Sequence, residues 1–574
     1  MSATRASVLP GRWLPSLVLG GILAYLVAVP LVILLISSFT PSGLPLDPGW
    51  TFDNYVKTYA DPAFYEMVWT TAKFALGATI GALAIGVLMA WLVERTDLPA
   101  RGLVRVMVIL PMATPPVLLA IGWVMLLSPR IGFFNDVLVS ALGLKTAPFN
   151  IFSLGGMIFV EILSLVPSTF LMLSPALRNM DPNLEEAALT SGASVAMMIR
   201  RILLPLLLPA LLATSAFLLM VGFLVFDIPG TIGMPVGIFV LASRIVYLAN
   251  DAAGGISQYS LISAIAVFFL VVLLLLAYGY QRATGQSGRF VTVTGKSFRV
   301  RPFRLGRWRW PAFGVVALYF FLATLAPIGI LVWTSLLPYQ APVSLDMLSK
   351  LTFANHEAFF ANRRVLQATQ NSIVIALIAA TAVALLSVLV SWVVVRGRAP
   401  GRRIIDALAF LPIAIPGTMI GVALIYVYLT LNFLDVYGTI WIIVIAYVTT
   451  YISFGTRATH GVMAQLHRDL EDAARTSGAS WLRLMRRIIV PLTLPAIVAV
   501  WIWVLAHCMR ELASALLLQG GDNRTLPVLL WNYWSGGEPN KASAVGVWLV
   551  AAMLVVVSLW QIVIQRGRVS GMKG

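Results

Sequence analysis

Twelve apolar stretches, each able as a helix to cross about 30 Å of hydrocarbon, run through this chain from end to end. They lie near residues 14–39, 68–93, 103–127, 151–177, 205–226, 259–281, 311–337, 368–395, 404–431, 438–460, 491–511 and 543–565. Hydrophobic residues make up 59% of the sequence and charged residues only 11%, too little polar surface to cover so many apolar faces in water. The runs must therefore meet lipid. Inside a bilayer every backbone N–H and C=O has to be satisfied within the protein, and these runs lack the alternation of barrel strands. The expected fold is an all-α integral membrane protein of about twelve transmembrane helices. The first run, Leu14 to Phe39, follows Arg5 and Arg12 and would measure roughly 39 Å as a helix. That exceeds a secretory signal core, so it is read as a retained span.

An even number of spans puts both termini on one side, and charge selects the side. With the amino terminus in the cytoplasm, most of the 40 Lys and Arg residues fall in cytoplasmic segments. The formal charge of +17 therefore reports membrane topology and gives no case for a nucleic-acid partner. The stretch 282–310 carries eight basic residues and no acid. It reads as a cytoplasmic linker between a first module, residues 1–281 with a core about 68–281, and a second, residues 311–574 with a core about 368–565. Within it, Gly295-Lys296-Ser297 lacks the glycine that a phosphate loop needs five places earlier, where Phe290 stands. The single cysteine, Cys508, excludes an internal disulfide framework.

The two modules are copies. Leu184-Glu185-Glu186-Ala187-Ala188-Leu189-Thr190-Ser191-Gly192-Ala193-Ser194 returns 286 residues later as Leu470-Glu471-Asp472-Ala473-Ala474-Arg475-Thr476-Ser477-Gly478-Ala479-Ser480. Trp91, Pro99, Arg101, Pro111 and Pro115 return as Trp392, Pro400, Arg402, Pro412 and Pro416 at an offset of 301. The difference of 15 fits a longer external loop near 128–150. Fixed polar and proline positions of this kind mark a duplication. Six spans per copy give both copies one orientation, hence parallel repeats about an axis along the membrane normal, with a pathway between them.

The repeated loop has its own logic. Asp181 can cap a helix that starts with Pro182, and Glu185 and Glu186 sit near its positive end. Leu184, Ala187, Ala188 and Ser191 share one small-sided face, as do Leu470, Ala473, Ala474 and Ser477. Gly192 and Gly478 can end each helix in a left-handed conformation, and Ser194 and Ser480 start the next one. A short helix of this shape outside the bilayer suits a groove on a partner protein.

These residues carry a family resemblance. Glu186-Ala187-Ala188, Gly192, Ile202 and Leu204-Pro205 fit the signature loop of binding-protein-dependent ABC importer permeases. Asp472-Ala473-Ala474, Gly478, Ile488 and Val490-Pro491 fit it with two departures, of which Asp472 shortens the acidic arm. The chain thus resembles a fused, two-module permease of a type I importer, and nearly its whole length takes part. The resemblance implies that Leu184, Glu185, Glu186, Ala187, Ala188 and Gly192 dock one cytoplasmic ABC ATPase subunit. It gives Leu470, Glu471, Asp472, Ala473, Ala474 and Gly478 the same task toward a second. ATP would be used by those subunits, with no cofactor bound by this chain. An external substrate-binding protein, periplasmic or lipoprotein, would deliver cargo at the bacterial inner membrane.

Arg510-Glu511-Leu512-Ala513-Ser514 and Asp227-Ile228-Pro229 resemble the ferric-iron transport group, whose relatives also carry thiamine, phosphonates or polyamines. Asp227, Arg510 and Glu511 are placed toward the outer ends of their spans, where snorkelling or docking to the binding protein explains them equally well. Glu161 lies within the fourth span, where a carboxylate should face the bundle interior or water. A pathway role and a structural hydrogen bond both account for it. Pro111, Pro115, Pro412 and Pro416 should kink the third and ninth spans, either lining the path or packing it. No metal-ligand cluster is evident, the four histidines being scattered, and no catalytic constellation appears, so the chain is read as a transport subunit without enzymatic chemistry. A secondary transporter of two parallel six-helix halves is the alternative, although it gives the doubled loop no purpose.

Overall fold

Helix lengths here follow from apolar runs meeting stop signals. The computed structural model describes residues 14–180, 187–188, 190–250, 258–287, 303–341, 343–397, 401–430 and 434–571. Ten of its helices are long and apolar enough to cross a membrane. The second and eighth spans, Pro62–Arg95 and Arg363–Arg396, each run 34 residues, well past the apolar stretches at 68–93 and 368–395. Asp61 and Asn362 explain the early starts: each side chain accepts a 2.9 Å hydrogen bond from the backbone N–H two residues on. These caps let each helix begin outside the hydrocarbon.

Spans three and nine depart from the expected kinked rods. Each is a pair of arms, bent by 95° between Arg101–Ala113 and Pro116–Leu127 and by 114° between Arg402–Ala414 and Gly417–Thr430. Proline chemistry dictates the breaks. Pro116 has no N–H to offer the carbonyl of Met112, four residues back, so the α-helical ladder cannot pass that point. Pro111, Pro115, Pro412 and Pro416 are all buried. The second arms lie in the middle of the molecule, with Val117–Leu126 and Thr418–Tyr428 buried throughout.

The duplication extends to element boundaries. Leu154–Asn179 and Leu204–Leu224 recur as Ile440–Gln465 and Val490–Arg510, and the π-turn Ile199–Leu203 recurs as Met485–Ile489. One contact shows how the copies kept their spacing while changing residues. A Cβ added to Gly86 would stand 2.4 Å from Thr169 Cγ2, so the second and fourth spans touch through that glycine. At the equivalent place Ser387 faces Gly455, where an added Cβ would stand 2.2 Å from the serine hydroxyl. The small residue has moved to the other helix, and the close approach remains.

First spans are exchanged between halves. Val29–Ser38 packs on the arm Gly417–Thr430, and Ala326–Ser335 packs on Pro116–Leu127. The hydroxyls of Tyr25 and Tyr428 meet at 2.8 Å, and Thr449 donates to the carbonyl of Leu26 at 3.2 Å. In the other direction Tyr319 donates to the carbonyl of Leu163 at 3.2 Å. Each broken arm is thereby held by its own half and by the first span of the other.

Candidate functional site

Two features repeat or converge, and the loops between spans four and five and between spans ten and eleven are the first. In the second copy, Asp469–Thr476 forms a helix with Asp469, Glu471 and Asp472 in its first turn, where the helix dipole favours carboxylates. Leu470, Asp472 and Ala473 are exposed, and Ala474 is half-buried against a cluster formed by Val388, Met463, Leu484, Met485 and Ile489. Gly478 follows at φ +78°, its left-handed conformation ending the helix, and Ser480 Oγ accepts from the N–H of Arg483 at 3.4 Å to start the next.

Glu471 behaves differently from its neighbours. It turns inward, 5% exposed, and its Oε1 lies 3.2 Å from Nε of Arg396 at the end of the eighth span. Arg396 also donates to the carbonyls of Met463, at 3.0 Å, and of Leu466. One buried guanidinium thus clamps the loop helix and the end of span ten onto span eight. Glu471, read with its neighbours as a docking residue, is turned away from the exposed face of the helix by these ion pairs, Arg475 adding a second cation at 3.6 Å.

In the first copy, Leu184, Glu185 and Glu186, with the cap residues Asp181 and Pro182, lie outside the described residues. What is described repeats the pattern: Ala187 is exposed, Ala188 half-buried, and Gly192 sits at φ +84°. Arg95, the counterpart of Arg396, donates to the carbonyl of Met180, the counterpart of Leu466.

The second feature lies between the halves. Asp227, Arg510 and Glu511, the residues read as facing an external binding protein, are each half-buried, and Asp227 also comes within electrostatic reach of Glu161, which is buried. Span eleven ends at Arg510, where the chain turns to extended backbone. This turn aims Arg510 at the break in span three, and its Nη1 donates to the Met112 carbonyl at 2.7 Å. That carbonyl is the acceptor left open by Pro116. Nη2 of Arg510 lies 3.1 Å from His507 Nε2, and the imidazole stacks on Trp503 at 3.6 Å between ring centres.

Glu511 faces the other broken span. Its carboxylate caps the short helix Ala513–Leu518, accepting from Ser514 N and Oγ, both at 2.9 Å. A Cβ on Gly417, at the break of span nine, would stand 3.1 Å from Glu511 Oε1. One turn at the end of span eleven therefore touches both breaks. Asp227 lies within electrostatic reach of Glu161, Arg510 and Glu511.

Sequence inspection missed Met112, His507 and Tyr447. The repeat held a signal for one of them: at an offset of 286, Glu161 corresponds to Tyr447, whose hydroxyl donates to the Glu511 carbonyl at 3.3 Å. Arg510 and Glu511 likewise correspond to Leu224 and Val225. The charged centre is thus where the copies differ. Among the described residues, no group of three or more His, Cys, Asp or Glu side chains is placed to hold a metal ion.

Residues 82–287 and 394–569 match the family described as binding-protein-dependent transport system inner membrane component. The ferric transport system permease protein FbpB of Actinobacillus pleuropneumoniae is 27% identical over 460 residues, covering 79% of this chain. The match spans 64% of that relative, less than two thirds of its length. The Fe(3+)-transport system permease protein FbpB 2 of Haemophilus influenzae is 24% identical over 492 residues, 85% of this chain and 88% of the relative. Among solved structures, a bacterial ABC transporter that imports the acidic polysaccharide alginate aligns at a TM-score of 0.40 and 24% identity, over 49% of this chain and 96% of that one.

Proposed function

Because this chain belongs to the family of binding-protein-dependent transport system inner membrane components, we propose that it passes ferric iron inward, driven by two cytoplasmic ATPase subunits. It is an ABC importer permease and a multi-pass inner-membrane protein. The observation that carries the ATPase part is the doubled loop helix. Ala187 and Ala473 stand exposed at equivalent positions, ahead of glycines at φ +84° and φ +78°. Two equal footholds suit two copies of one motor, and the basic bias of the same loops supports placing them, with both termini, in the cytoplasm. ATP is consumed by those subunits, and an external binding protein supplies the cargo.

Cargo identity draws on the two ferric-transport relatives and on the interior charges. Asp227 stands within electrostatic reach of two further carboxylates, Glu161 and Glu511, and of one guanidinium, Arg510. Anionic cargo such as a phosphonate would be repelled there, whereas a hard trivalent cation favours oxygen ligands. The test is uptake into vesicles holding the permease with its ATPase and binding protein. Ferric iron should enter only with ATP, and entry should persist when the proton gradient is collapsed. Uptake driven by the gradient alone, or ATP-driven uptake of a polyamine with iron excluded, overturns the reading.

A further inference from the structure

Buried carboxylates with unused acceptors are expensive in a bilayer interior and persist where something else uses them. Glu161 is 1% exposed, and its Oε2 has no hydrogen-bond partner among the described residues. Asp227, just ahead of the turn Pro229–Gly233 that packs on the helix bearing Glu161, is within electrostatic reach of it and likewise has a buried Oδ1 with no partner among the described residues. The third carboxylate is unlike these two: Glu511 is occupied by the Ser514 amide and hydroxyl. Arg510 lies within reach of Asp227 but spends its hydrogen bonds on the Met112 carbonyl and His507. It supplies positive charge without filling the acceptors.

We propose that Glu161 and Asp227 form a transit site for a polyvalent cation between the halves, with Arg510 as the resident counter-charge that the arriving cation displaces electrostatically. This rests on the importer reading above and names the residues that cargo meets. Two carboxylates, with no third acidic, His or Cys ligand among the described residues, make a weak site, completed by water, from which a cation can leave. The site is also asymmetric, since the residue equivalent to Glu161 is Tyr447. Arg510 links occupancy to conformation, because the residue that answers the cation's charge also holds the break of span three.

The test uses the purified full-length chain in detergent, with Tb³⁺ as a hard trivalent probe whose luminescence is sensitised by nearby tyrosine and tryptophan. Wild type should show a saturable signal. Glu161→Gln and Asp227→Asn keep side-chain shape and should each weaken binding about tenfold or more, and the double variant should abolish the saturable component. Arg510→Gln should tighten binding, an outcome no packing role for Arg510 produces. Glu94→Gln, which breaks an ion-pair cluster with Arg105 and Arg178 away from this site, serves as the control and should bind as wild type does. Absence of a saturable wild-type signal, or unchanged affinity in both acid variants, overturns the site. Unchanged affinity in Arg510→Gln overturns its counter-charge role. Vesicle uptake separates the two levels. ATP-driven iron entry unaltered by the double acid variant removes the site and leaves the importer, whereas Tb³⁺ binding without iron uptake removes the cargo and leaves the site.

Discussion

Breaking the Arg396–Glu471 clamp should release the second loop helix, and the structure sets the magnitude. At 3.2 Å the pair attracts by about 5 kcal/mol at an effective dielectric near 20, before desolvation is subtracted. The side chains are only 5% and 7% exposed, so removing one partner strands a buried charge at a cost of about 3–5 kcal/mol. Glu471→Leu leaves Arg396 without its anion. Arg396→Met leaves Glu471 only the half-exposed Arg475, at 3.6 Å, and also deprives the carbonyls of Met463 and Leu466 of their donor. The double variant strands no charge and leaves only those carbonyls open, about 1–3 kcal/mol in all. Denaturant unfolding of the purified chain should therefore show the double variant as more stable than either single, a coupling of roughly 3 kcal/mol or more. Recovery of the ATPase with each variant should follow the same order. Additive losses, with the double variant costing the sum of the singles, would refute the clamp. The Lys541–Glu538 pair, at 2.9 Å but with side chains 50% and 43% exposed, serves as comparison and should contribute under about 1 kcal/mol.

Gly192→Ala and Gly478→Ala place a Cβ in open space but force a left-handed residue, a cost of about 1–2 kcal/mol each. ATPase co-purification should fall for each and further for the pair, with membrane insertion unchanged; full recovery from the pair would contradict docking. Pro116→Ala restores an N–H beside the Met112 carbonyl, so it should compete with Arg510 for that acceptor and slow ATP-driven uptake more than it weakens cargo binding. Equal effects on both would count against the break as a moving part. Gly86→Ser should destabilise the chain by about 1–3 kcal/mol through overlap with Thr169, and adding Thr169→Gly should recover most of it by copying the Ser387–Gly455 arrangement. Thermal midpoints of the three variants check this, and no recovery in the double would refute equivalence of the two seams.

Hydrophobic run length, glycine placement and the repeat were legible because each is a local property. An apolar stretch of some 20 residues has one way to satisfy its backbone in lipid, and a glycine after Glu-Ala-Ala has one common use at a helix end. The doubled loop could be read residue by residue, and in the described parts Ala187, Ala473, Gly192 and Gly478 stand where that reading puts them. Prolines announced that spans three and nine could not be regular, but not how far each would turn. The bends of 95° and 114° depend on what packs around the break, including the other half's first span.

Folding alone decided the interior. Asp227, Arg510 and Glu511 look peripheral along the chain because each lies just past or at the end of an apolar run. Distance along a run gives depth only for a straight helix crossing a flat membrane. Here the ends of spans five and eleven turn inward over two broken helices, and Arg510 reaches a carbonyl almost 400 positions away because Pro116 left it open. Glu471 makes the same point at smaller scale: its place in the motif fixed its helix, and only Arg396, supplied by another span, fixed which way it faces. Sequence determines what each segment must bury and where its backbone can bend. Which charges then share one low-dielectric space is set by contacts between segments, and no local pattern encodes those.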